Sequence, residues 1–305
     1  MKLTNEKNLP DVFIRAIENN EQPPSGLSDV IRVSELIAPP QIVQLNRKHY
    51  KDIEEDASSK LWQLNGTLMH TLLEQASEGT DAIIEETIRV QFEHMTVTGT
   101  PDIISGNVLS DYKNTSVFAI KSMIQDGKVK EDWFLQVQIY RYLFECPMPV
   151  KEPKIDTLQI IAIARDWRQG EYDRAKPEDC YPERVTVFDV PVLPLQEIEQ
   201  DIIKRIELHY NERNAIKHYD CTDEERWTTP IVYAVKKAGN KRAIKLHNNL
   251  VDAQEHYNTL SNNPNKKKGE AYLIEERPAR FNRCEGYCNV APFCEQFKSS
   301  QKTEV

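Results

Sequence analysis

The chain has 305 residues, 39% hydrophobic and 29% charged, with 39 lysines and arginines against 48 aspartates and glutamates for a net charge of −9. That length allows one large domain or two small ones, and 10 glycines without a low-complexity tract argue against a long flexible linker. The acidic balance excludes a protein that coats nucleic acid through bulk charge, while leaving room for a local basic groove.

The apolar runs are far too short for a membrane span, and the opening MKLTNEKNLPDVF lacks the apolar core of a secretory signal. A cytoplasmic protein is expected. Its six cysteines then point to metal ligation or buried thiols before disulfides.

In chain order, residues 1–40 read as irregular, with PPSG and IAPP as breakers, and 41–56 as a helix ending in the charged run KDIEED. A helix is expected from about Ser58 to the neighbourhood of Ser77, with Leu61, Leu64, Leu68 and Leu72 forming its apolar stripe. Gly66, His70 and Glu74 recur at i, i+4 and i+8 on another face, where the glycine admits a close neighbour. His70 is either a metal ligand through a neutral ring nitrogen or a packed helical histidine.

Residues 82–95 read as one or two strands, and 130–145 as an aromatic-rich helix. On that helix Gln136 and Tyr140 share a face, either to orient a phosphate or water or simply to half-bury an aromatic surface. Strands follow over 157–167 and 185–192, then a helix over 194–213 marked by Ile198, Ile202 and Ile206. This order predicts an α/β fold with a central mixed β-sheet flanked by helices. The expected organisation is a single domain over 1–305, with a core of about 58–214 and a less regular, cysteine-containing C-terminal extension of about 215–305.

The segment GTPDIISGNVLSDYKNT, residues 99–115, concentrates the chemistry. Gly106-Asn107 is a Gly-first hairpin turn. It would pair Ser105 with Val108, Ile104 with Leu109, Ile103 with Ser110 and Asp102 with Asp111. Cross-strand partners stand about 4.5–5.5 Å apart on one face, and Lys113, two residues past Asp111, shares that face. Two opposed carboxylates repel unless a cation lies between them, and Mg²⁺ or Mn²⁺ prefers such oxygens. The alternative is a solvated polar face on which Lys113 balances Asp111.

A helix with His70, a strand with Asp102, a strand with Asp111-x-Lys113 and a helix with Gln136-x-x-x-Tyr140 form an ordered set of parts. In GTLMH, GTPDII, LSDYKNT and WFLQVQIYRYLF, over about residues 60–145, the chain resembles the PD-(D/E)XK nuclease superfamily in its RecB-like branch. The resemblance implies a restriction-endonuclease-like core and a metal, Mg²⁺ or Mn²⁺, held by His70, Asp102, Asp111 and the carbonyl of Tyr112. It implies Lys113 near the attacking water, with Gln136 and Tyr140 supporting the site. It further implies DNA with free ends as substrate, exonucleolytic trimming, and a phage or bacterial recombination or repair setting with a possible partner protein, in a bacterial cell or phage-infected host. Rival expectations are a non-catalytic DNA-binding or adaptor protein of the same fold and a structure-specific endonuclease.

Near the C-terminus, RCEGYCNVAPFCEQF places Cys284, Cys288 and Cys294 as C-x3-C-x5-C, a spacing that suits zinc or an iron–sulfur cluster. Some RecB-like nucleases close a [4Fe-4S] cluster with a similar C-terminal triplet and a fourth cysteine before the histidine helix. Here the first interval is x3 instead of x2, and no cysteine precedes His70; only Cys146, Cys180 and Cys221 remain as further thiols. The fourth ligand is left open, as is a packed-thiol alternative. Two basic segments, VKKAGNKRAIK at 235–245 and NKKKG at 265–269, offer phosphate contacts. The first supplies Lys236, Lys237, Lys241, Arg242 and Lys245, near Trp227 and Tyr233 for base stacking. Either segment is otherwise a solvated loop.

Overall fold

A computed structural model describes residues 1–24, 29–146, 153–264, 267 and 269–302. The chain forms two compact units, Met1–Tyr219 and Asp220–Val305.

In the first unit, helix α1 (Asp11–Asn19) precedes strand β1 (Val30–Arg32) and helix α2 (Pro40–His49). The described part of residues 1–40 is therefore more regular than its breakers suggest; Ser25 and Gly26 of PPSG lie outside the described residues. The helix expected over 41–56 ends at His49, and Glu54–Asp56 instead pairs in parallel with Lys2–Thr4. Next come α3 (Leu61–Ser77), β2 (Ile83–Ile84), β3 (Ile88–Gln91), β4 (Thr96–Gly99), β5 (Ile103–Ser105) and β6 (Val108–Thr115). They are followed by α4 (Val117–Asp126), α5 (Glu131–Glu145), β7 (Thr157–Ala164), β8 (Val185–Val190) and α6 (Leu195–Arg213). The expected central mixed sheet flanked by helices is present: five strands in the order β8-β7-β6-β5-β2, with β6 and β7 parallel and the other pairs antiparallel. A second, three-stranded sheet runs β1-β4-β3, joining residues far apart in sequence.

Period-2 alternation sets the faces of the central sheet. On β7, Leu158, Ile160 and Ala162 are buried and stand in register with Leu109, Asp111 and Lys113 of β6. That face receives α5, whose Val137, Ile139, Tyr140, Leu143 and Phe144 are buried in the main core. The other face of β6 meets α3: Asn114 donates to Asn65 at 3.0 Å, and the rings of Tyr112 and His70 meet edge to face. The leucine stripe of α3 is overturned as a packing surface. No residue of this helix is fully buried, and Leu68 and Leu72 are 59% and 60% exposed. Helical periodicity marks the stripe without telling which face packs; here the polar face carrying His70 turns inward.

Helix α6 buries Ile198, Ile202 and Ile206 as expected, and continues that face with His209, whose Nε2 lies 3.1 Å from the Leu36 carbonyl. Burial lowers the His209 pKa to about 4, opposed in part by the carbonyl contact. An unfolded histidine takes up its proton near pH 6.5, so between pH 6.5 and 4 the unfolded chain binds more protons than the folded one. Stability held at neutral pH is therefore lost as the pH falls through that window, by on the order of 3 kcal/mol at its lower end. Replacing His209 with glutamine, which can still donate to Leu36, is expected to flatten this loss; parallel melting curves at pH 7 and pH 4.5 for the two proteins check it.

The second unit is more regular than the sequence suggests. Strands β9 (Val232–Lys237), β10 (Lys245–His247) and β11 (Tyr272–Arg277) form an antiparallel sheet in the order β10-β9-β11. Helix α7 (Leu250–Ser261) carries the buried Ala253, and Ala234 and Val235 of β9 are buried too. The unit ends in α8 (Glu295–Lys302).

Candidate active site

The β5–β6 hairpin has the register that Gly106-Asn107 predicts for three pairs: Ser105 with Val108, Ile104 with Leu109 and Ile103 with Ser110. Gly106 takes φ 58°, the positive value that a Gly-first turn requires. The ladder stops there, and the fourth predicted pair does not form. Asp102 bends away instead of facing Asp111 across the strands, and its Oδ2 accepts the Tyr112 N–H at 2.6 Å. Pro101, which has no N–H to give, precedes it and favours this break. Beyond Ser110 β6 thus has an open edge on the β5 side, and the carboxylate of Asp102 covers part of it.

Four elements bring their polar groups to this edge. His70 of α3 sets Nδ1 3.2 Å from Asp102 Oδ1. Glu85, between β2 and β3, donates its backbone N–H to the Asp102 carbonyl at 3.3 Å and holds φ at 46°. His70, Glu85 and Asp102 each offer a ligand atom within 4.8 Å of the others, in a shallow open cleft that they line with Tyr112. Asp111 lies outside this compact trio, on the buried face of β6, with Lys113 Nζ 2.6 Å from its Oδ2. Lys113 also donates to Gln136 Oε1 at 2.8 Å, and Gln136 Nε2 donates to Tyr140 Oη at 2.8 Å.

The electrostatics follow from burial and crowding. Asp111 is 2% exposed, and desolvation pushes its pKa up against the pull of Lys113, while neighbouring Asp102 pushes the same way. Its Oδ2 is buried, and its neighbour is the Lys113 ammonium of the ion pair. Glu85 is raised by burial and by the charges of Glu74 and Asp102. His70 is raised by its hydrogen bond to Asp102, and Tyr140 by burial. One imidazole and carboxylates in excess of nearby cations fit a hard divalent cation such as Mg²⁺ or Mn²⁺.

Gly99 shows how tightly β4 and α5 approach behind the site. A Cβ there would stand 2.9 Å from both Leu143 Cδ1 and Tyr140 Cδ1. Gly99→Ala is expected to cost about 1–3 kcal/mol by overpacking, read as a fall of roughly 2–4 °C in melting temperature per kcal/mol. The Gln136–Tyr140 pair should shift with it.

The structure thus gathers His70, Asp102, Asp111, Lys113, Gln136 and Tyr140, with Tyr112 entering through its N–H. Sequence reasoning missed Glu85: EETIRV carries no motif, and the only local sign is an acid just after a short apolar strand. The basic segment at 235–245 needs correction as a phosphate track. Lys236 pairs with Glu275, and Lys237 with Glu270 at 2.6 Å, so these two charges are already balanced across the β9–β11 sheet. Lys241, Arg242 and Lys245 remain exposed. In NKKKG, residues 265, 266 and 268 lie outside the described residues.

No protein-family model matches the chain, and neither does any curated protein. Among solved structures, SSO0001 is similar at 17% identity and a TM-score of 0.43, over 65% of this chain and 84% of that one. A phage-related exonuclease from Haemophilus somnus 129PT is similar at 13% identity and a TM-score of 0.38, over 61% of this chain and 94% of that one. The alkaline exonuclease LHK-Exo of Laribacter hongkongensis, in its complex with dAMP, is similar at 15% identity and a TM-score of 0.32, over 62% and 94%. These three TM-scores lie below 0.5. No helix among the described residues is long and apolar enough to cross a membrane.

Proposed function

We propose that this chain is a divalent-metal-dependent deoxyribonuclease that trims DNA from free ends in recombination or repair. The observation that carries this reading is the His70–Glu85–Asp102 trio with the buried Asp111–Lys113 pair near it. When bound, Mg²⁺ or Mn²⁺ neutralises charge on a phosphodiester oxygen and acidifies water.

The chain's own groups do the rest. Asp102 fixes the orientation of the His70 ring. Lys113 is held between Asp111 and Gln136. A positive charge held in this way would stabilise a phosphoryl group as it gains negative charge, with little reorganisation during reaction. Gln136 is itself set by Tyr140, whose hydroxyl keeps its proton because burial raises its pKa. The choice of phosphodiesters among anionic substrates, and of ends over interior sites, rests on the ordered motifs that resemble RecB-like nucleases.

End-labelled linear DNA and circular DNA, each incubated with Mn²⁺, Mg²⁺ or EDTA, test the proposal. Linear DNA should shorten from its ends only with metal, while circles survive. Circles cut as fast as linear strands would replace the exonuclease by an endonuclease, and absence of metal-stimulated hydrolysis would end the nuclease reading.

A further inference from the structure

We infer that Cys221 joins Cys284, Cys288 and Cys294 to hold an iron–sulfur cluster of the four-iron type, entirely within the second unit. No cysteine precedes the histidine helix to complete the three-cysteine motif, because the first cysteine in the chain is Cys146. The unit Asp220–Val305 instead holds four cysteines of its own, and they lie near one another.

The backbone does the gathering. Cys221 donates its N–H to Gln296 Oε1 at 3.0 Å, and Gln296 Nε2 donates to the Cys221 carbonyl at 2.8 Å. This clamps residue 221 beside the first turn of α8, two positions after Cys294. Arg283 donates its N–H to the Arg226 carbonyl at 3.1 Å and its Nη1 to the Glu225 carbonyl at 3.2 Å, tying the turn that bears Cys284 to the same segment. Three tight bonds wind the rest of the motif: Cys288 N–H to Arg283, Ala291 N–H to Cys288 and Cys294 N–H to Ala291.

The side chains lie near one another: Cys284 and Cys294 are both close enough to act electrostatically on Cys221 and on Cys288, and Arg283 is close to both.

Spacing distinguishes the occupant. Among the described residues, no three of these sulfurs lie within 4.8 Å of one another. A single tetrahedral zinc with bonds of about 2.3 Å would draw its sulfurs to about 4 Å apart. Wider spacing suits a cluster in which each iron takes its own thiolate. None of the six cysteines forms a disulfide.

The test is independent of any nuclease activity. Protein purified anaerobically, or reconstituted with ferrous iron and sulfide, should carry about four irons and about four acid-labile sulfides per chain and absorb broadly in the visible. Cys221→Ser should lose iron as fully as Cys294→Ser, while Cys146→Ser and Cys180→Ser retain it. Should the first two variants fail to fold, alkylation of the wild-type protein followed by mass spectrometry decides. Cys221, Cys284, Cys288 and Cys294 should be protected together and become reactive together when the iron is removed. One zinc per chain in a colourless sample, no bound metal after reconstitution, full iron retention by Cys221→Ser, or alkylation of Cys221 while the other three stay protected would each overturn the inference.

Discussion

Replacing Asp111 with asparagine is expected to abolish metal-stimulated DNA hydrolysis while leaving the metal-free protein as stable as before, or more so, at neutral pH. The two effects have different origins. A metal on a transferring phosphoryl group contributes several kcal/mol to the barrier, so losing a ligand lowers the rate by on the order of 10³-fold or more. Stability moves the other way because the folded environment raises the Asp111 pKa, chiefly by burial. A carboxylate raised in this way is disfavoured in its ionised form. The cost is absent at low pH, where both states are protonated, and is fully present above the folded-state value. Asparagine keeps the shape and removes the charge.

If Asp111 were only the structural partner of Lys113, breaking that buried pair should instead destabilise the fold by about 3–5 kcal/mol. Melting and activity measured on one preparation distinguish the two cases. Lys113→Ala should also lose activity, by roughly 10²–10³-fold if its charge acts as a preorganised donor.

Local patterns in the sequence carried much of this. The Gly106-Asn107 turn fixes a hairpin because its geometry suits the twist of the flanking strands, and three of four predicted pairs form. The helix at Glu131–Glu145 and the strands at Thr157–Ala164 and Val185–Val190 follow from periodicity alone. What escaped is tertiary. The end of the β5–β6 ladder depends on Asp102 finding the Tyr112 N–H, a competition that alternation cannot express. Strand Val30–Arg32 gains its meaning only by pairing with Thr96–Thr98, more than sixty residues on. That the His70 face of α3 is half-buried while Leu68 and Leu72 stay exposed depends on what the sheet offers opposite. Lys236 and Lys237 looked free because their carboxylate partners, Glu275 on β11 and Glu270 just before it, are over thirty residues away.

Glu85 yields the sharpest remaining expectation, because backbone and side chain there pull in opposite directions. A non-glycine residue at φ 46° occupies the left-handed region, which costs an L-residue roughly 1–2 kcal/mol and is tolerated when something else fixes it. Its N–H bond to the Asp102 carbonyl does that, and it keeps the Glu85 carboxylate within 4.8 Å of His70 and Asp102. Glu85→Gly releases the strain. The added freedom of the unfolded glycine returns a cost of about 0.4–1 kcal/mol, so net stability should stay level or rise slightly.

Metal uptake should behave differently. Removing one carboxylate from a site of this kind should weaken Mn²⁺ binding by at least the 10–100-fold seen for partners merely supporting a ligand. Hydrolysis should fall with it. Glu85→Gln, which keeps the strain and loses the charge, should weaken Mn²⁺ to a similar degree without any gain in stability. Mn²⁺ titration followed by paramagnetic resonance, together with melting of all three proteins, separates these outcomes. Unchanged Mn²⁺ affinity in both variants would remove Glu85 from the site and leave its backbone strain without a chemical reason.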